Sequence, residues 1–288
     1  FEADGIAAAD VVVTNSRFTS RVIRATFPAI PPSKLQVLYP GVRVPDGVAP
    51  RTSTDDEIVF LSVNRFDPRK NLALAVDTVS FQIARGEVIG FLGPNGAGKS
   101  TVMRILACFF PPTSGKAWVG GHDVNSDSLE VRRMIGYFPE RASVYLDMSV
   151  QAFLRFAAEA KDVPRRRRRA EAERVIESCG LQDARRRQIG HLSKGFRQRV
   201  GIAQALIHEP AVLILDEPTI GLDPEQVVEI RHLIRQLGKE RTVILSTHIL
   251  SEVSSVCNRI IVIHRGRLLT SEPISALQAR LERTRRVR

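Results

Sequence analysis

The run Gly93-Pro94-Asn95-Gly96-Ala97-Gly98-Lys99-Ser100 has the spacing G-x-x-x-x-G-K-[ST]. Residues of these types in this order can cradle a polyphosphate. The glycines let the backbone curl until successive N–H groups point inward as an anion nest. Lys99 brings a positive charge to the β- and γ-phosphates, and Ser100 offers a hydroxyl to Mg2+. A helix starting near Ser100 aims its positive end at the same phosphates. Asn95, Gly96, Ala97, Gly98, Lys99, Ser100 and Thr101 are the residues expected to touch a bound nucleotide.

Two adjacent carboxylates, Asp216 and Glu217, follow the apolar run Ala211-Val-Leu-Ile-Leu215. At the end of a buried strand, Asp216 is placed to hold Mg2+, and Glu217 to act as base for a water attacking the γ-phosphate. His248, in Ser246-Thr247-His248, follows another apolar run and is placed to sense the γ-phosphate.

These groups need elements to position them. Glu87–Leu92 is an apolar strand leading into the glycine loop, and Arg85-Gly86 is a turn after an earlier strand. Thr101–Phe110 repeats Val102, Ile105, Leu106 and Phe109 at helical spacing. Thr242–Leu245 is a further buried strand. Ser149–Ala160 carries Val150, Phe153, Leu154 and Ala157 on one helical side. Strands alternating with helices predict an α/β fold.

In this order the pieces resemble the ATPase domain of ABC transporters, from about Val76 to Leu281. Leu192-Ser193-Lys194-Gly195-Phe196-Arg197-Gln198 resembles the signature that sets this family apart among P-loop NTPases; Ile135–Glu140 resembles its Q-loop and Gly221-Leu-Asp223-Pro its D-loop. The fold so implied is a P-loop NTPase with an ABC-type helical subdomain at about 141–195. The resemblance implies that Ser193 and Gly195 complete the ATP site of a second ATPase domain, in a homodimer or heterodimer. It implies a metal set of Ser100, Glu140 and Asp216, with Glu217 and His248 catalytic. It also implies ATP and Mg2+ as cofactors, and a separate transmembrane permease subunit that holds the chain at the cytoplasmic face of the membrane, touched near Glu140–Met148. Lys194, Phe196 and Glu140 depart from the commonest family pattern in the manner of the branch serving ABC-2-type exporters.

The first 75 residues read differently. ADVVVTNSRFT, VLYPGV and LSVNRFDPRKN resemble segments of a retaining, two-Rossmann-domain glycosyltransferase, the mannosyltransferase that extends dolichol-linked oligosaccharide. Arg65 and Lys70 match that family's diphosphate-gripping pair, but its glutamate pair is absent. Val11–Thr14 reads as a strand, Ser16 as a helix cap, Pro45–Asp56 as a linker and Glu57–Asn64 as another strand. This partial Rossmann-like fragment stands where the ABC domain's first strand and adenine-stacking aromatic are expected. Glu57–Asn64 is the candidate substitute for that strand, and Phe66 is the nearest aromatic.

The formal charge is +11; residues 1–70 hold nine Lys/Arg against eight Asp/Glu, so the remainder carries +10. Much of it lies in Arg165–Arg169, Arg185–Arg187 and the tail from Arg280, with residues 282–288 beyond the ATPase stretch. The plainer reading of Arg165–Arg169 is a solvated helix face, because it runs into the helical pattern AEAERVIE. No aromatic interleaves with these arginines, which counts against single-strand nucleic acid. The three cysteines fit no metal spacing and read as core thiols in a reducing compartment. No apolar run approaches the roughly 18 residues that span a bilayer. The chain starts at Phe1 without a signal-peptide pattern, which points to a fragment. The rival readings are an ABC-type ATPase acting on nucleic acid, a non-functional fusion, and a glycosyltransferase remnant.

Overall fold

The computed structural model describes residues 79–112 and 115–279 in full, and as backbone the strands β1 (Val12–Thr14), β2 (Leu35–Val37) and β3 (Glu57–Val63). The Ser16 cap, the linker before β3, Arg65, Phe66, Lys70 and the basic tail from Arg280 lie outside the described residues.

Three sheets organise the chain. β1 and β2 form a parallel pair. β4 (Val79–Ala84), β3, β6 (Lys116–Val119) and β7 (His122–Asp123) form an antiparallel sheet in the order β4-β3-β6-β7. β3 is therefore an interior strand of a sheet otherwise built from the region after Val76. β4 alternates buried and exposed residues, as a strand with one wet face must.

The third sheet has the order β12-β11-β5-β10-β9-β8. Its strands are β5 (Val88–Leu92), β8 (Ile135–Phe138), β9 (Val212–Asp216), β10 (Thr242–Thr247), β11 (Arg259–His264) and β12 (Arg267–Pro273). All its pairs are parallel except β11–β12. β9 and β10 are buried along their whole length, which explains why they read as continuous apolar runs.

The period-2 geometry of these strands divides the core into two layers. Ile89, Phe91, Val212, Ile214, Ile244, Ile261 and Ile263 face α1 (Lys99–Leu106) and the antiparallel sheet. Val88, Leu213, Leu215, Val243, Leu245 and Ile260 face the opposite layer. That layer contains α3 (Val150–Ala160), α4 (Arg168–Ser178), α5 (Lys194–Leu206), α6 (Pro224–Leu237) and α7 (Leu250–Val256), while α2 (Ser128–Met134) leads into β8. Capping fixes where three of these helices start: Ser149, Ser193 and Asp223 each accept a hydrogen bond from the backbone N–H three residues on, and Pro224 opens α6.

Two expectations need correction. The helix expected over 101–110 ends at Leu106. Cys108 takes a left-handed backbone (φ 57°), so the periodicity runs on past the helix itself. Phe109 is 64% exposed and sits edge-on to Tyr137 with ring centroids 5.3 Å apart, not on a buried helix side. The segment Ile135–Glu140 is a strand over its first four residues, leaving only Pro139 and Glu140 in the loop. The three cysteines are buried and free, and burial pushes the Cys108 thiol up to about 11 and those of Cys179 and Cys257 up to about 12.

Candidate nucleotide site

β5 delivers Gly93 to the sheet's end, where its N–H donates to the Thr247 carbonyl at 3.4 Å. A side chain at Gly93 would collide with the Ile263 carbonyl on β11, so the loop must begin without one. Gly96 (φ 77°) and Gly98 (φ 103°) take left-handed conformations that turn the loop back into α1. Gly98 caps α1 with no side-chain hydrogen bond, leaving the helix's first N–H groups free for an anion.

Lys99 is 5% exposed. Its ammonium donates to the carbonyls of Gly93 (2.8 Å) and Pro94 (3.2 Å) and lies 3.3 Å from Glu217 Oε1. Glu217 stands just past β9 with a left-handed φ of 49°, a conformation that costs a non-glycine residue about 1–2 kcal/mol. Its N–H donates to the Ser246 carbonyl at 3.0 Å, and its Oε2 is 2.9 Å from His248 Nδ1. Because a carboxylate only accepts, Nδ1 carries the proton in that bond, and Nε2 is the ring nitrogen left for another partner.

Asp216 is wholly buried. Its Oδ1 accepts from Ser100 Oγ at 3.1 Å. Oδ2 is buried without a hydrogen bond, an arrangement that calls for a cation. Burial raises the carboxyl above its ordinary pKa, and the nearby Glu140 carboxylate adds in the same direction. Ser100, Asp216 and Glu140 are hard oxygen donors of the kind Mg2+ takes. Among the described residues no group of three or more His, Cys, Asp or Glu forms a metal cage.

A cleft of about 340 Å³ is lined by Asn95 through Thr101, Glu140, Glu217 and Ile220. The expected cradle residues, two of the three expected metal donors (Ser100 and Glu140) and the candidate base are thus brought together. Ser193 and Gly195 are not in its lining. They open α5, where Ser193 Oγ accepts from Phe196 N at 3.3 Å and Gly195 is buried against Gln226. Ile220 was not legible as a lining residue, since nothing in its type or spacing sets it apart. Also missed was Glu252, 2% exposed, which accepts hydrogen bonds from Thr219 and Thr247.

A glycine cradle feeding a helix, with paired carboxylates at the end of a parallel strand one place removed in the same sheet, defines an α/β phosphate-loop ATPase. The profile described as ABC transporter matches residues 76–220. The chain is 37% identical over 215 residues to the ABC transporter ATP-binding protein NatA of Bacillus subtilis (strain 168), covering 74% of this chain and 87% of that protein. It is 38% identical over 208 residues to the bacitracin transport ATP-binding protein BcrA of Bacillus licheniformis, covering 72% of this chain and 67% of that protein. Among solved structures, cbiO1 from Clostridium perfringens superposes with a TM-score of 0.71 at 29% identity, covering 81% of this chain and 94% of that one. The chain belongs to the ABC transporter family, as an ATP-binding subunit that hydrolyses ATP.

Proposed function

We propose that the 340 Å³ cleft is the hydrolytic site, and that ATP turnover there drives a separate transmembrane permease from the cytoplasmic face of the membrane. The observation that carries this reading is the convergence of Lys99, Glu217 and His248 with the Ser100–Asp216 pair at the ends of β5, β9 and β10. The nucleotide's phosphates lie along 95–101, and Lys99 exchanges Glu217 for the β- and γ-phosphates. Ser100, Asp216 and Glu140 would hold Mg2+, which supplies positive charge against the phosphate oxygens. Once Lys99 has turned away, Glu217 is free to orient water and accept its proton. His248 keeps Glu217 in place through Nδ1 and meets the γ-phosphate through Nε2.

Ser193 and Gly195 lie outside the cleft lining, which supports a role toward the nucleotide of a second ATPase domain in a head-to-tail pair. The cbiO1 relative is part of an ABC transporter complex, and among the described residues no helix is long and apolar enough to cross a membrane. Both support a separate membrane partner. Export is supported by Lys194, Phe196 and Glu140. Arg167 pairs with Glu171 and Glu209, Arg168 with Glu159, and Arg185 with Glu173, so part of the arginine-rich charge is spent within the fold, which disfavours nucleic acid as partner. The division proposed is a glycosyltransferase-like stretch at 1–75, an ATPase domain at 76–281 with its helical subdomain at about 141–195, and a basic tail at 282–288. The parallel β1–β2 pair supports the Rossmann-like reading of the first stretch.

The test is ATP hydrolysis by the full chain beside Lys99→Ala and Glu217→Gln. Loss of turnover in both supports the assignment; wild-type turnover in Glu217→Gln sinks it.

A further inference from the structure

We infer that Glu252 is a positioning residue that locks the turn carrying Glu217 to the turn carrying His248. Glu252 stands in the first turn of α7 and is 2% exposed, yet touches none of the reacting groups. Its Oε1 accepts from Thr219 Oγ1 at 2.7 Å, and its Oε2 accepts from Thr247 Oγ1 at 2.7 Å. Thr219 is two residues past Glu217, and Thr247 immediately precedes His248. Thr247 Oγ1 also accepts from the Ile249 N–H at 3.1 Å, so the backbone is braced on both sides of His248. The Thr247 carbonyl in turn receives the Gly93 N–H, the first of the phosphate cradle. Arg231 of α6, 3.8 Å from Oε1, provides the countercharge.

Both oxygens of this carboxylate are thus spent on hydroxyls from two separate segments, Thr219 in the turn after β9 and Thr247 at the end of β10, in short charge-assisted bonds. An apolar side chain of similar volume would fill the same space without the desolvation a buried carboxylate carries. What the carboxylate adds is a fixed separation between the two segments. The 2.9 Å contact between Glu217 and His248 spans the same gap on the side of the cleft. With Glu252 behind it, the water-orienting carboxylate and the phosphate-sensing imidazole move as one body.

This inference rests on the proposed hydrolytic roles of Glu217 and His248. It is tested in the full chain with Thr219→Val, Thr247→Val, their combination, Glu252→Gln, and the hydroxyl-keeping Thr219→Ser and Thr247→Ser. kcat, KM for ATP, equilibrium binding of Mg–ATP and the thermal midpoint are measured for each. The valine and glutamine variants should lose about ten- to hundredfold in kcat, the scale of an ångström-level misplacement. Their KM and binding should stay within about twofold of wild type. Both serine variants should recover kcat. The valine pair should cost less than the product of its singles, because either one opens the clamp. Lower thermal midpoints with unchanged kcat would reduce Glu252 to a core-packing role and overturn the inference. So would serine variants as impaired as the valines. A wild-type chain that turns over, a dead Glu217→Gln and fully active clamp variants would sink the clamp alone. Wild-type turnover in Glu217→Gln would sink the hydrolytic reading beneath it.

Discussion

Lys99 and Glu217 form a buried ion pair at 3.3 Å, in which the residue proposed for phosphate and the residue proposed for water hold each other. The side chains are 5% and 7% exposed, so each neutralises a charge the other could not leave bare. Lys99→Ala should abolish ATP binding and destabilise the apo chain by about 3 kcal/mol, through the Glu217 charge left behind. Glu217→Gln should retain ATP and lose about 10²–10⁴ in turnover. Nucleotide binding by equilibrium dialysis, a thermal melt and a phosphate-release assay separate the two.

Asp216 offers a buried, unpaired Oδ2 beside the Ser100 hydroxyl. Asp216→Asn and Ser100→Ala should each raise the Mg2+ concentration for half-maximal turnover by about tenfold or more, the range seen when support to a metal is removed. ATP binding in excess chelator should change little. Because burial holds the Asp216 pKa above the ordinary 3.8, Mg2+-dependent turnover should fall on acidification before an exposed aspartate would protonate. A Mg2+ titration at several pH values reads both effects.

His208 responds to pH far from the cleft. Its Nε2 is 3.1 Å from the Ile135 carbonyl, which only accepts, so Nε2 carries the proton of the neutral ring. Burial, helped by the Lys161 charge, pushes its pKa from 6.5 down to about 4. Between those values the unfolded chain binds a proton that the folded chain refuses, so stability falls as pH drops through this window. The loss should reach about 2–3 kcal/mol at the acid end and should vanish in His208→Gln. Urea unfolding midpoints from pH 7 to pH 4 measure it.

Gly136 lets β8 lie directly on α5. A methyl there would run into the Ala205 carbonyl and meet the Pro210 side chain at 2.9 Å. Gly136→Ala should cost about 1–3 kcal/mol, as overpacking does. A lowered thermal midpoint in the purified chain would show it, and an unchanged one would mean the strand moves freely.

The residues proposed to react were legible because each belongs to a short local pattern: the glycine spacing before Lys99, the apolar run before Asp216, the strand before His248. The Glu252 clamp was not. Thr219 and Glu252 lie 33 positions apart and meet only because β9 and β10 pair with Asp216 opposite Ser246. Phe109 misled because apolar spacing continues past Leu106, while the left-handed Cys108 that ends the helix is not a residue type that announces such a turn. Glu57–Asn64 was legible as a strand from its apolar run. Its neighbours were not, because pairing with β4 and β6 is a long-range property of the sheet.

That pairing makes β3 a plug. β3 satisfies the backbone of β4 on one side and of β6 on the other. A chain cut between 63 and 79 would keep its phosphate loop but bare two raw strand edges, and such edges recruit strands from other molecules. A chain lacking residues 1–63 should therefore form strand-swapped pairs or aggregates, which size-exclusion chromatography beside the full chain would read. On this reading β3 guards the edges of β4 and β6 against cross-chain pairing.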